Sequence, residues 1–213
     1  MRVVIAEDEA LLRQGLALVL EQDGFEVVSA VGTAAELEDA VGEHQPQLVI
    51  TDIRMPPTFT DEGLVAAHRI RASSPDVAIV VLSQHVQRRY AIELVGTGQG
   101  KVGYLLKQRI ADVRTFTQDL RRVVRGGTAL DPDVVEILLS RAQVLGGGVE
   151  RLTPRQREVL GYMAEGRSNS WIAGAIGFSE KAVVQHTSKI YDALGLAVDA
   201  DDFGSQLDVG AAA

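Results

Sequence analysis

Five side chains in the first half of the chain are of the types that handle phosphate: Glu7, Asp8, Asp52, Ser83 and Lys107. Glu7-Asp8, Asp52, Ser83 and Lys107 each follow a short apolar or β-branched run, and such runs bounded by turn residues read as buried strands. Clustered carboxylates repel and raise one another's pKa unless a cation offsets them. A hard divalent ion such as Mg²⁺ suits carboxylate, carbonyl and water ligands and keeps positions open for phosphate oxygens. With that charge screened, Asp52 stays ionised and nucleophilic towards a phosphoryl donor. Lys107 is placed to pair with Asp52 and then with a phosphoryl oxygen, while Ser83 donates a hydrogen bond to another. Taken alone, Asp52 ahead of Met55-Pro56-Pro57 reads equally well as a turn cap. All five groups at strand ends point instead to a phosphorylation site.

Strands are expected at about 2–6, 25–30, 47–51, 77–81 and 101–106, with helices near 9–22, 33–43, 62–72, 87–96 and 109–125. Leu11, Leu12, Leu16, Val19 and Leu20 form the apolar stripe of the first helix, and Gly24 marks its end. Five strands alternating with five helices imply an α/β domain with a doubly wound, five-stranded parallel sheet. Ligands of such sheets bind at the C-terminal strand ends, where the five groups lie.

The chain of 213 residues suits one large domain or two small ones. It has no cysteine, which excludes disulfides and thiolate metal sites, and no apolar run near the 20 or so residues of a membrane span. No signal-peptide pattern precedes the first strand, so a cytoplasmic chain is expected. The net charge of −8 is uneven. Residues 1–150 carry 15 basic and 21 acidic side chains, residues 151–198 carry 6 and 4, and the tail 199–213 adds four aspartates. An acidic front half joined to a mildly basic module fits a regulatory domain attached to a binding domain.

With those residues in place, segment 1–125 resembles a response-regulator receiver domain of flavodoxin-like fold. The match lies in Glu7-Asp8, in Asp52 of Thr-Asp-Ile-Arg-Met-Pro, in Ser83, and in Lys107 of Gly-Tyr-Leu-Leu-Lys. The resemblance implies that Asp52 is the phosphoacceptor and that Glu7, Asp8, Asp52 and the Arg54 backbone carbonyl hold Mg²⁺. It also implies that Ser83 and Tyr104 form a switch pair, with Tyr104 rotating inward as Ser83 moves to the phosphoryl group. Without the resemblance, Tyr104 reads as an ordinary strand aromatic. Two stretches depart from the commonest pattern: the long loop 57–63 and the glycine-rich turn 96–100.

Residues 126–150 read as a linker, with a short helix over 134–142 starting near Pro132 and a glycine hinge at 145–149. Beyond it, Thr153-Pro154 opens a helix with a cap and a first-turn proline, and Val159, Leu160 and Met163 give it a core face. A short helix from Asn169 closes on Gly177, and Ser179 caps a third helix running to about Leu194. Spacing alone fits a helix-turn-helix or an unrelated three-helix bundle. The residues Leu152-Thr153-Pro154-Arg155, Gly166-Arg167-Ser168-Asn169, Ile172-Ala173, Ser179 to Val183, His186, Ile190 and Leu194-Gly195 make 151–196 similar to the LuxR-type DNA-binding domain of NarL/FixJ regulators. That resemblance implies a third helix in the major groove, with Lys181, Gln185 and His186 near base edges and Lys189 and Arg167 on phosphates. Val183 and Ile190, seven apart, should face the core. Gln156 stands where the family usually has glutamate, and Val184-Gln185 where relatives often carry a charge. Segment 197–213 is an atypical acidic, Gly/Ala-rich tail in place of a fourth helix.

The whole pattern is that of a two-component response regulator and not of an enzyme. A sensor histidine kinase would phosphorylate Asp52, and the modified protein would pair as a homodimer on double-stranded promoter DNA. A phosphorylation-gated protein-interaction module with weakened DNA binding is the alternative suggested by the acidic tail. A Mg²⁺-dependent phosphohydrolase would share the carboxylates, but Arg54 occupies the position where a second aspartate would be expected.

Overall fold

The computed structural model describes residues 1–87, 90–91, 94, 100–134, 151–165, 167 and 169–193. The expected linker helix beyond Val134, the glycine hinge, the turn at 96–99 and the C-terminal tail lie outside the described residues. Strands β1 (Arg2–Ala6), β2 (Glu26–Val31), β3 (Leu48–Asp52), β4 (Ala78–Ser83), β5 (Val102–Leu106) and β6 (Thr128–Leu130) form one sheet in the order β2-β1-β3-β4-β5-β6. Every neighbouring pair is parallel. Helices α1 (Ala10–Gln22), α2 (Ala34–His44), α3 (Glu62–Ser73) and α4 (Val113–Val124) accompany it, with a 3-10 turn at Lys107–Ala111 before α4. Tyr90, Ala91 and Leu94 are helical, and Ala91 and Leu94 are buried. The sheet therefore has six strands where five were expected. The additional one comes from the stretch read as linker, where a three-residue run has too little alternation to signal a strand.

Alternation along the strands sends side chains to two apolar layers. Val3, Ile5, Ile50, Val80 and Leu105 pack with Leu16 and Leu20 of α1 and with Phe116 and Leu120 of α4. Val4, Ala6, Val49, Ile79, Val81 and Tyr104 face the other way, towards Leu37 and Val41 of α2 and Leu64, Ala67 and Ile70 of α3. Strands buried on both faces are expected for a parallel sheet covered by helices, and β3, β4 and β5 are buried at every residue. Register then fixes the rim: Asp52 lies beside Leu82, and Ser83 beside Leu106, the residue before Lys107.

One glycine is required by close approach. A Cβ on Gly63 would lie 1.7 Å from the Asp52 carbonyl oxygen and 2.8 Å from Thr51 Oγ1. The Gly63 amide donates to the Ile53 carbonyl at 2.9 Å, so the start of α3 is held against the end of β3.

In the second module, α5 (Pro154–Ala164), α6 (Asn169–Ile176) and α7 (Glu180–Ala193) bury Val159, Ile172, Ile176, Val183 and Ile190. The capping box of α5 is complete although its third residue is a neutral amide. Thr153 N donates to Gln156 Oε1 at 2.8 Å, and Gln156 N donates to Thr153 Oγ1 at 3.2 Å. Among the described residues no helix is long and apolar enough to cross a membrane.

Gly63→Ala is expected to lower stability by about 3 kcal/mol or more, because backbone and not a flexible side chain must move. Denaturant unfolding followed by circular dichroism measures it, and a midpoint equal to that of the wild type contradicts the packing described.

Candidate functional site

The end of β3 meets the ends of β1 and β5 through one ammonium group. Lys107 Nζ lies 2.7 Å from Asp52 Oδ2 and 2.9 Å from Glu7 Oε1. Glu7 is fully buried, and its second oxygen, Oε2, is buried without a hydrogen-bond partner. Burial raises the Glu7 pKa to about 7, against the opposing pull of Lys107 and with a further push from the neighbouring Asp52 charge. Burial also works to strip Lys107 of its proton, but its bonds to Asp52 and Glu7 outweigh this and hold its pKa above the ordinary range.

Asp8 completes the acidic group: one oxygen each from Glu7, Asp8 and Asp52 lie within 4.8 Å of one another. Three carboxylates facing one ammonium leave excess negative charge, and the unpartnered Glu7 oxygen marks where it is least satisfied. The donor set is all oxygen, as a hard divalent cation requires. The Arg54 amide donates to Asp52 Oδ1 at 3.3 Å, which holds the Asp-Ile-Arg turn against the carboxylate. Behind the rim, Arg13 of α1 donates to the backbone carbonyls of Glu7 and Asp8 and fixes that turn.

Ser83 and Tyr104 meet at one acceptor. Ser83 Oγ donates to the His85 carbonyl at 2.7 Å, and the Tyr104 hydroxyl donates to the same oxygen at 3.3 Å. The Gln87 amide in turn donates to the Tyr104 hydroxyl at 3.2 Å. Tyr104 is fully buried, so its ring is already inward while the Ser83 hydroxyl is occupied away from Asp52. A backbone carbonyl carries no sequence signature, and the part played by His85 was invisible in the sequence. Gly63 beneath Asp52 had a signal, the Asp61-Glu62-Gly63 turn after the strand.

On the second module, Lys181, Gln185 and Lys189 are exposed and spaced by four, a single stripe along α7. His186 lies off that stripe. Its ring stacks on Phe178 at 5.4 Å between centroids and 17° between planes, and its Nδ1 is buried without a hydrogen bond. The Arg155 guanidinium also lies over the Phe178 ring, 4.5 Å from its centroid. Arg167 is exposed, pairs with Glu165 at 3.2 Å and lies over Trp171 at 4.4 Å. The structure thus places the two lysines and Gln185 together and sets His186 and Arg167 apart from them.

Residues 3–118 match the family model of the response regulator receiver domain, and residues 150–201 match that of the bacterial regulatory proteins of the luxR family. The oxygen regulatory protein NreC of Staphylococcus carnosus is 32% identical over 205 residues, covering 92% of each chain. The transcriptional regulatory protein MctR of Rhizobium johnstonii is 31% identical over 99% of this chain and 94% of its own. Among solved structures, RcsB of Salmonella enterica serovar Typhimurium, bound to a promoter in the presence of the phosphomimetic BeF3⁻, superposes with a TM-score of 0.54 at 25% identity, over 93% of this chain and 94% of that one. With a receiver match over the first part of the chain and a luxR-type match over the second, the chain belongs to the response regulators that join a receiver domain to a LuxR-type DNA-binding domain.

Proposed function

We propose that Asp52 accepts a phosphoryl group from a sensor histidine kinase and that this modification governs binding of the second module to promoter DNA in the cytoplasm. The observation that carries the reading is the Lys107 bridge between Asp52 and Glu7, with one Glu7 oxygen left unpartnered. An oxygen of ionised Asp52 attacks phosphorus, the phosphorus–nitrogen bond of the donor phosphohistidine breaks, and the freed imidazole leaves with the bonding pair. The product is an acyl phosphate on Asp52. Glu7, Asp8, Asp52 and the Arg54 carbonyl would hold Mg²⁺, which when bound neutralises phosphoryl charge. Lys107 follows the new charge from the carboxylate to a phosphoryl oxygen. Ser83 exchanges the His85 carbonyl for another phosphoryl oxygen, which leaves that carbonyl to Tyr104 alone. Catalysis beyond this modification, apart from slow loss of the phosphoryl group, is not part of the reading.

The switch then shifts the population of paired chains. The capture of RcsB on a promoter together with a phosphomimetic supports carrying DNA binding and phosphorylation control to this chain. Lys181 and Gln185 are assigned to base edges and Lys189 to phosphate, from their common exposed stripe. A phosphate contact is also assigned to Arg167, which is exposed. His186 is assigned to holding the recognition helix on Phe178 in place of a base contact. Dimers would present two such helices to half-sites about one helical turn apart.

Asp52→Asn is expected to abolish phosphoryl incorporation from a phosphorylated kinase and the accompanying change in oligomeric state by size-exclusion chromatography; retention of both defeats the assignment. In duplex-DNA titrations across salt concentrations, Lys189→Ala should weaken binding to all sequences and reduce the log–log salt slope by about 0.9. Lys181→Ala should instead cost about 1–3 kcal/mol on the preferred site and flatten the preference among sites. Salt-independent or absent binding with and without beryllofluoride would favour a protein-interaction module.

A further inference from the structure

The sixth strand joins the chain that leaves the receiver to the strand that carries the switch. Thr128, Ala129 and Leu130 pair in register with Val102, Gly103 and Tyr104. The seam is closed at both ends by backbone bonds, from Lys101 N to the Gly127 carbonyl at 3.0 Å and from Asp131 N to the Tyr104 carbonyl at 2.9 Å. It is also closely packed, since a Cβ on Gly103 would meet the Ala129 carbonyl at 3.3 Å across the seam and Val80 of β4 at 3.0 Å.

Asp131 then ties the seam to the lysine turn. Its side chain is 2% exposed, and Oδ2 accepts from Arg109 Nε at 2.8 Å. Arg109 lies on the 3-10 turn Lys107–Ala111, two residues after the lysine that bridges Asp52 and Glu7. The other oxygen, Oδ1, accepts from the Asp133 amide at 3.2 Å and so fixes the direction of the chain beyond β6. Val134, the last described residue before the gap, is fully buried. One aspartate therefore contacts the backbone of Tyr104, the turn that starts with Lys107 and the first turn of the outgoing linker.

We infer that Asp131 and Arg109 are positioning residues that latch the linker to β5, so that the phosphorylation state of Asp52 is passed to residues 128–134 through the Lys107 turn and Tyr104. The inference rests on the proposed phosphorylation of Asp52. When Lys107 shifts to a phosphoryl oxygen, the short turn it begins carries Arg109 with it, and the buried carboxylate of Asp131 has no water to replace that partner. The movement reaches the linker as a change in how firmly β6 is paired.

The test is hydrogen–deuterium exchange of the full-length chain, with and without beryllofluoride and Mg²⁺, read in peptides covering 128–134. In the wild type the exchange rate there is expected to change about fivefold or more on adding the mimic. In Arg109→Gln and Asp131→Asn the change should disappear, while phosphoryl incorporation at Asp52 stays at the wild-type rate and shows that the receiver is folded. Arg109→Lys, which restores a cation opposite Asp131, should recover most of the response, as a loss of packing alone would not. A response in Arg109→Gln equal to that of the wild type overturns the latch, as does a wild type whose exchange at 128–134 ignores the mimic while exchange around Ser83 and His85 responds. Absence of any response around Asp52 itself would overturn the proposed phosphorylation and the latch with it. Loss of DNA binding with the exchange response intact would overturn only the DNA-directed reading.

Discussion

The excess of buried negative charge at the strand ends is the constraint on which the receiver depends. Asp52 and Glu7 are both nearly enclosed and share a single ammonium, with Asp8 alongside. Breaking a buried ion pair by removing one partner costs about 3–5 kcal/mol, because the remaining charge has lost its hydration and gained nothing. A core optimised for stability would not contain this arrangement. Burial is the largest push on Glu7 and raises its pKa to about 7 against the opposing pull of Lys107.

Everything nearby serves to keep those charges at fixed separations. Lys107 reaches Asp52 because β4 and β5 lie in register beyond β3, and that register is held by strands with apolar side chains on both faces. Gly63 lets α3 start directly against the Asp52 backbone, and Arg13 closes the turn after β1. Tyr104 sits on β5, three residues before Lys107, which opens the 3-10 turn that follows the strand.

The reactive groups were legible in the sequence because each ends an apolar run, and parallel sheets place all such ends on one rim. Glu7, Asp8, Asp52, Ser83 and Lys107 needed only the strand assignments to be brought together. What could not be read was set by pairing between distant segments. Thr128-Ala129-Leu130, between two glycines and an Asp-Pro, becomes a strand only because the edge of β5 is available to it. The Arg109–Asp131 pair spans 22 residues and follows from that strand. The His85 carbonyl is a backbone group shared by two hydroxyls, and no side-chain pattern announces it. His186 illustrates a different limit. One residue beyond Gln185 is a rotation of about 100° around a helix, enough to turn it from the exposed stripe to the Phe178 ring.

The same geometry bears on why the second module would need a partner. Its exposed stripe offers two lysines and a glutamine, and Val184 stands partly buried where a cation would add a phosphate contact. Each phosphate neutralised contributes about 0.9 to the salt slope, so a single module with so few cations gains little from counterion release. The folded scaffold is nonetheless well defined: Thr153 and Gln156 complete the capping box without a charge, and the Phe178 ring contacts both Arg155 and His186. Weak electrostatics on a rigid scaffold favour control by pairing. If two modules are joined, the second contact becomes intramolecular, and effective concentration raises the overall affinity above that of either module. A receiver that changes the fraction of paired chains by a modest factor would in this way change promoter occupancy steeply, without any rearrangement of the recognition helix.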